Sequence, residues 1–427
     1  MKYTIKKIIV ALVPLATFVY IADVYAGSGS LDNTFSLCST TGNPVSLFDY
    51  MSSVTVQTDD KIVAVGSASV TNSTSAITTS TLIISRWNAA DGSIDTTFNA
   101  SGNQPGIQSL SVGSTTVGQA VTLQSDGKIV VGGHAYIGGI TQFLVGRYNT
   151  DGSVDTGFNG VGYNTTTFGT GAQANSVKVQ SSGNIVVAGT TVAGQASFAL
   201  ARYTSSGALD GTFGTAGQTI TPIGFGAVLR QIALLNDDSI IAVGYVFDGV
   251  VTKFVTAKYT SAGVLDGTFG IGGIVMTPIA NRAEAFAVAI QGDGSIVVGG
   301  TSFLNGKAQW TLVRYTSIGT LDGTFGSGGI ATNLLQNGSA INSIVLQNDG
   351  KIVVSGTIFG NFGPFFAVGR YTTAGALDPS FYGTGVGQNP ASSAVARSVV
   401  LQSTGNIVAG GYVRINSYFN FLARWVP

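Results

Sequence analysis

Short apolar runs rich in Val, Ile and Phe recur along the whole chain, separated by clusters of Gly, Ser, Thr, Asn and Asp. Such runs, bounded by turn residues, read as strands, and no stretch has the length and helical period of an amphipathic helix. An all-β chain is expected. Segment 321–376 shows the pattern once in full: LDGTFG, then INSIVLQNDGKIVVSG, then VGRYTTAGA, after which Leu377 and Asp378 open the same phrase again.

Three phrases each occur seven times, and a repeat at this period decides the architecture before any local reading does. The first is LD-x-x-F, with Asp–Phe pairs Asp32/Phe35, Asp95/Phe98, Asp155/Phe158, Asp210/Phe213, Asp266/Phe269, Asp322/Phe325 and Asp378/Phe381. The second, Q-x-D-G-K-I-V-V-x-G, ends on Gly66, Gly133, Gly189, Gly244, Gly300, Gly356 and Gly411. The third is a cation before an aromatic ring, from Arg86-Trp87 through Lys258-Tyr259 to Arg424-Trp425. The unit is about 56 residues long and reads as four strands. In one copy these are 343–346, 351–355 and 365–371, with 329–334 as the fourth strand of the preceding copy. Asp-Gly between the first two strands predicts a hairpin with a primed turn, and the stretch between strands two and three reads as a variable loop. The Asp of LD-x-x-F is expected to bond its own turn, its Phe to pack between sheets, and the Arg of Arg-Tyr to pair with that Asp.

The chain opens with LD-x-x-F before any first strand and stops just after a seventh third strand. The first residues of the mature chain would then supply the missing fourth strand. The expectation is a seven-bladed β-propeller of four-stranded blades, one domain over 27–427, its ring closed by the N-terminal strand so that no long edge is left exposed. An open solenoid would call for distinct polar caps, which the sequence lacks.

The unit, Q-x-D-G-K-I-V-V-x-G followed by R-Y-x-x-x-G-x-L-D-x-T-F-G, resembles the delta-60 repeat of bacterial surface and secreted proteins, over essentially everything from Leu31 onward. The resemblance implies a β-propeller and brings no catalytic or ligand residues with it. Unit four departs from it, with Leu235 for the usual glutamine and Ser239 for the lysine.

Composition adds the compartment. Lys2, Lys6 and Lys7, an apolar run over 8–21 and Val24-Tyr25-Ala26 read as an export signal over 1–26; the alternative is a retained anchor, for which the run is short of a full span. No later stretch is long and apolar enough to span a bilayer. Cys38 is the only cysteine, so no disulfide can form within one chain, and it reads as a buried small apolar residue. A secreted, periplasmic or cell-surface bacterial monomer is expected. After the leader, 17 basic and 19 acidic residues remain, and no basic stripe is visible, which argues against nucleic acid as a partner.

Candidate chemistry is sparse. Sixteen of the nineteen acidic residues past the leader fall in LD-x-x-F or in turns, leaving Asp49, Asp248 and Glu284. These are too few and scattered for the paired acid and base of glycoside hydrolysis. His134 is the only histidine and reads as a loop or packing residue. No Cys/His cluster suits zinc, no calcium loop is present beyond single Asp-Gly turns, and no P-loop or nucleophile elbow occurs. No cofactor, no metal and no catalysis are expected.

Binding is sought where the repeats disagree. Five positions before the Gln column stand Ser52, Gln119, Asn175, Arg230, Phe286, Asn342 and Arg397, expected at the rim of a central channel. Two arginines among mixed polar groups suit an anionic or sugar-like ligand; the alternative is a solvated rim. The loops between strands two and three carry Phe247, Asp248, Phe303, Lys307, Trp310, Tyr412 and Arg414, a composition suited to recognition of a protein or glycan partner. Three functions stay open: a non-catalytic propeller that binds a partner through one face, a lectin-like or carbohydrate-active propeller, and a structural envelope or matrix component.

Overall fold

The computed structural model describes residues 29–32, 34–35, 50–71, 78–191, 194–361, 363–414 and 418–427. The leader, Cys38 and Asp49 lie outside them. Among the described residues the chain forms 27 strands and no helix. Four sheets are four-stranded, the last is three-stranded, and the first two units join through one parallel bridge, Ser80 to Thr115, into an eight-stranded sheet. Each unit is an antiparallel meander. The fifth, for example, runs through Arg282–Ile290, Ile296–Leu304, Lys307–Tyr315 and Ile330–Asn333.

The second strand of each unit is the most apolar because both its faces are covered. In Ile296–Leu304 every residue from Ile296 to Ser302 is buried, as a strand flanked by two sheets requires. The core consequently lies between units. Val243, Phe254 and Phe269 of the fourth pack against Ala285, Val298 and Tyr315 of the fifth. Val408 and Leu422 of the last pack against Met51, Val54 and Ile62 of the first.

The cation–aromatic phrase forms the expected pairs and more. Arg202 Nε donates to Asp210 Oδ2 at 2.8 Å, its Nη2 to Thr212, and its Nη1 to the carbonyl of Ser261 in the next unit. Asp210 also accepts from the Thr212 backbone in its own turn. The Phe213 ring lies 4.9 Å under the guanidinium and fills the space where Gly263 of the next unit would carry a Cβ. Arginine, aspartate and phenylalanine thus bind one unit to its successor. The N-terminal segment repeats the arrangement: Arg424 donates to Asp32 and to Ala89 of the first unit, Leu31 bridges to Trp425, and Gly29 sits over Phe381.

Two turn expectations change. The Asp-Gly hairpin is a three-residue loop, not a primed two-residue turn: Gln347 N donates to Lys351 O and Gly350 N to Gln347 O, each at 2.9 Å, and within the turn Gly350 alone has positive φ, at 82°. That is a type I turn closed by a glycine bulge. Units one and four place Asp60 and Asp238 in the left-handed position, which Asp tolerates better than most residues. Their carboxylates accept the backbone N–H of Ser403 in the last unit and of Ser181 in the third. The variable loops between strands two and three are in several units tight hairpins, such as Asn305-Gly306 with φ of 51° and 77°, so the strands run longer than the sequence suggests.

The first strand of every unit carries a β-bulge at the same place. Pairing skips one residue between Met51 and Ser53, Gly118 and Ala120, Leu229 and Gln231, Ala285 and Ala287, Ile341 and Ser343, and Ala396 and Ser398, and the third unit does the same at Asn175. The repeated glycine explains itself here. At Gly66, Gly133, Gly189, Gly244, Gly300, Gly356 and Gly411 a Cβ would collide with a carbonyl oxygen of the bulged strand, Ala340 O in the case of Gly356.

Candidate functional site in the central cavity

The seven bulged residues are Ser52, Gln119, Asn175, Arg230, Phe286, Asn342 and Arg397, the positions at which the repeats disagree. A bulge leaves its extra residue outside the ladder and re-aims it. All seven line one cavity of about 590 Å³, walled by the first strands. The expected convergence is present, and the bulge is its cause.

The walls are stitched together beside these residues. Ser398 Oγ accepts from Val54 N, Ser176 Oγ from Ile232 N, Ser343 Oγ from Val399 N, and Gln231 Oε1 from Val288 N. Two of the bulged side chains join this framework: Asn175 Nδ2 donates to Leu229 O and Asn342 Nδ2 to Ala396 O, both at 2.7 Å. Arg230 lies 5.5 Å from both the Tyr245 and Phe286 rings, and Arg397 lies 5.6 Å from Tyr412.

The electrostatics are lopsided. Among the described residues no carboxylate lines the cavity, while Arg230, Arg397 and Lys178 do, and none of the three has an ion-pair partner. The turns at the opposite end hold sixteen of the eighteen described carboxylates, and there all ten cations are ion-paired. Lys178 was not singled out in the sequence, yet it stands three residues past Asn175, in the column of Thr55 and Thr122, which also line the cavity. Enclosure by the walls pushes its pKa down. The Arg230 Nε is buried with no hydrogen-bond partner among the described residues.

The second set of candidates is placed differently. Trp310 is not on a loop: it is fully buried in Lys307–Tyr315, donates from Nε1 to Thr357 O, and packs against Gly369. It belongs to the core, because strand alternation continues past the position where a loop was expected. Phe303 also lies in a strand, under Arg282 at 3.9 Å. Tyr412 and Arg414 end Ile407–Arg414, and Tyr412 turns toward Arg397. Phe247 and Lys307 are exposed beside their hairpins. Asp248 is paired with Lys253 at 2.5 Å, which with the Val250 and Val251 N–H groups holds its carboxyl well below the usual range. Glu284 sits on the next unit, two residues before Phe286. His134 lies in Ile129–Ile137, and burial lowers its pKa to about 4, leaving it neutral near pH 7.

The repeated units define an all-β repeat protein built of antiparallel meanders, and five of them are similar to a β-propeller repeat. Segments 57–98, 124–158, 180–213, 291–325 and 347–381 match the family model described as "Domain of unknown function (DUF5122) beta-propeller". No curated protein matches the sequence. Among solved structures, the chain is similar to a protein of unknown function from Dyadobacter fermentans, at 12% identity and TM-score 0.45, over 73% of this chain and 94% of that one. It is similar also to the polysaccharide lyase Uly1, at 9% identity and TM-score 0.48, over 93% of each chain. A third likeness is to Sqt1 from Chaetomium thermophilum, at 11% identity and TM-score 0.46, over 92% of this chain and 97% of that one. Likenesses at these scores carry no argument about chemistry.

Proposed function

We propose that this chain is an exported, monomeric, seven-bladed propeller, closed into a ring by its N-terminal segment, that binds an anionic glycan at its central cavity without catalysis. The observation that carries the reading is the convergence of seven bulged residues, two of them arginine, on a cavity with no carboxylate in its described lining. Guanidinium groups beside aromatic rings suit a carboxylate on a sugar: the fork takes the acid bidentately and the rings take an apolar sugar face. Ring closure is supported by Arg424 and Leu31 making the contacts that their counterparts make within the other units, and by Gly29 making the one its counterparts make between them. The absence of catalysis is supported by the salt bridge that engages Asp248.

The test is titration of the purified protein with acidic oligosaccharides (oligogalacturonate, oligoalginate) and neutral ones of matched length, beside the double variant Arg230→Ala/Arg397→Ala. Saturable binding of the acidic set is expected, weakened by salt and lost in the double variant. Equal binding of neutral sugars, or binding retained in the variant, overturns the anionic reading. Shortened sugars recovered after incubation would overturn the non-catalytic one.

A further inference from the structure

We infer that the cavity contains two anion-binding half-sites, one at Arg230 and one at Arg397, and that its ligand carries two acid groups held at once. This rests on the reading that the cavity binds an anionic ligand. Of the seven bulged positions only these two are cationic, and they lie three repeats apart, each with the same pattern of supporting contacts. In each case the preceding unit supplies an Asn-Ser pair at its own bulge. The asparagine donates to the backbone carbonyl just before the arginine, Asn175 to Leu229 O and Asn342 to Ala396 O. The serine accepts the N–H two residues after the arginine, Ser176 from Ile232 and Ser343 from Val399, at 3.1 and 3.3 Å. A tyrosine on the second strand then stacks on the guanidinium, Tyr245 at 5.5 Å and Tyr412 at 5.6 Å.

The other bulged residues, Ser52, Gln119 and Phe286, are not cationic and do not reproduce the set. The arginine backbone is therefore pinned from one side and its side chain guided from the other, so less ordering remains when an acid binds. Both half-sites open on the same cavity of about 590 Å³, a volume suited to one small ligand. A ligand spanning them gains from the second contact being intramolecular. The half-sites differ in their far wall. Arg230 has the Phe286 ring at 5.5 Å, whereas the position equivalent to Phe286, in the unit that follows Arg397, is Ser52. The ligand end at Arg230 is accordingly the more apolar one, and the end at Arg397 the more hydroxylated.

Crystals soaked in selenate test the half-sites independently of any sugar: an anomalous peak within hydrogen-bond reach of each arginine is expected, and a peak at only one or at neither overturns the proposal. In solution, wild-type protein is expected to take two molecules of galacturonate per chain but one of trigalacturonate. Arg230→Ala and Arg397→Ala should each remove one galacturonate site and weaken trigalacturonate tenfold or more. A single galacturonate site lost equally in both variants overturns the two half-sites. Two selenate peaks with no sugar bound would leave the half-sites standing and remove the glycan reading.

Discussion

Arg424 Nε donates to Asp32 Oδ2 at 2.8 Å across 392 residues of chain, the distance at which Arg370 Nε donates to Asp378 Oδ2 over eight. Both pairs are largely shielded from water, with side chains no more than 16% exposed. Removing one partner of a shielded, hydrogen-bonded pair leaves the other uncompensated, at a cost of roughly 2–4 kcal/mol. If the N-terminal segment completes the last unit, Asp32→Ala and Asp378→Ala should lower stability by similar amounts in urea unfolding. An Asp32→Ala midpoint indistinguishable from wild type, beside a clear loss for Asp378→Ala, would remove the closure.

The glycine opposite each bulge makes a sharper demand. A Cβ at Gly356 would overlap Ala340 O, which is backbone and cannot swing aside. Gly356→Ala is expected to destabilise by about 3 kcal/mol or more, in the range reserved for overpacking and backbone strain. Gly323→Ala, where nothing lies within 4 Å of the new methyl, should change stability by less than about 0.5 kcal/mol. Thermal unfolding of the two variants side by side separates a steric requirement from a general loss of glycine flexibility.

Much of this was legible in the sequence because repetition reports spatial equivalence. Aligning the copies places the strands, pairs Arg370 with Asp378, and brings Ser52 through Arg397 into one column. The bulge was not legible, since an extra residue shows only in the pairing of two strands. In Leu229-Arg230-Gln231 it looks like one more polar residue in an alternating strand. Trp310 was misplaced for a related reason: aromatic content beside a Gly-containing hairpin resembles a recognition loop, whereas strand register turns that ring into the core. Lys178 is not legible because its column holds Thr, Ala and Val elsewhere, and a single lysine among them has no repeat to mark it.

Acid should act through the aspartates of the repeated turn. Hydrogen bonds from Lys258 and Thr268 hold Asp266 at about 2. At Asp378 burial pushes the pKa up, but Ser380, Arg370 and Lys351 outweigh it and the carboxyl also sits at about 2. An unfolded Asp titrates near ~3.9, so the folded state binds fewer protons than the unfolded state over this interval. The contribution is then complete above about pH 4 and is lost as pH falls toward 2. Asp378→Asn should be less stable at pH 7 and show a shallower fall in unfolding free energy between pH 4 and 2. An unchanged slope would mean that this carboxylate does not couple to folding.

His134 predicts a separate step at milder pH. Burial lowers its pKa from 6.5 to about 4, so the fold favours the neutral ring. Stability from this residue is complete above pH 6.5 and is lost as pH falls from 6.5 through 4. His134→Phe should flatten the stability profile in that window and leave the lower aspartate window in place. A wild-type profile already flat between pH 6.5 and 4 would show that water reaches the ring.

Lys178 offers the clearest conflict between stability and binding. An enclosed amine without an anionic partner is costly to bury, and its lowered pKa expresses that cost. Thr55 and Thr122 in the same lining provide hydroxyl groups but no charge. Methionine keeps most of the side-chain volume without the charge, so Lys178→Met is expected to stabilise the free protein by about 1 kcal/mol. If the cavity takes an acid, the same change should weaken binding of oligogalacturonate several-fold while leaving the two arginines in place. Increased stability with unchanged affinity would place Lys178 outside the ligand's reach. Decreased stability would mean that water inside the channel already solvates the amine, and that the positive cavity costs the fold nothing to maintain.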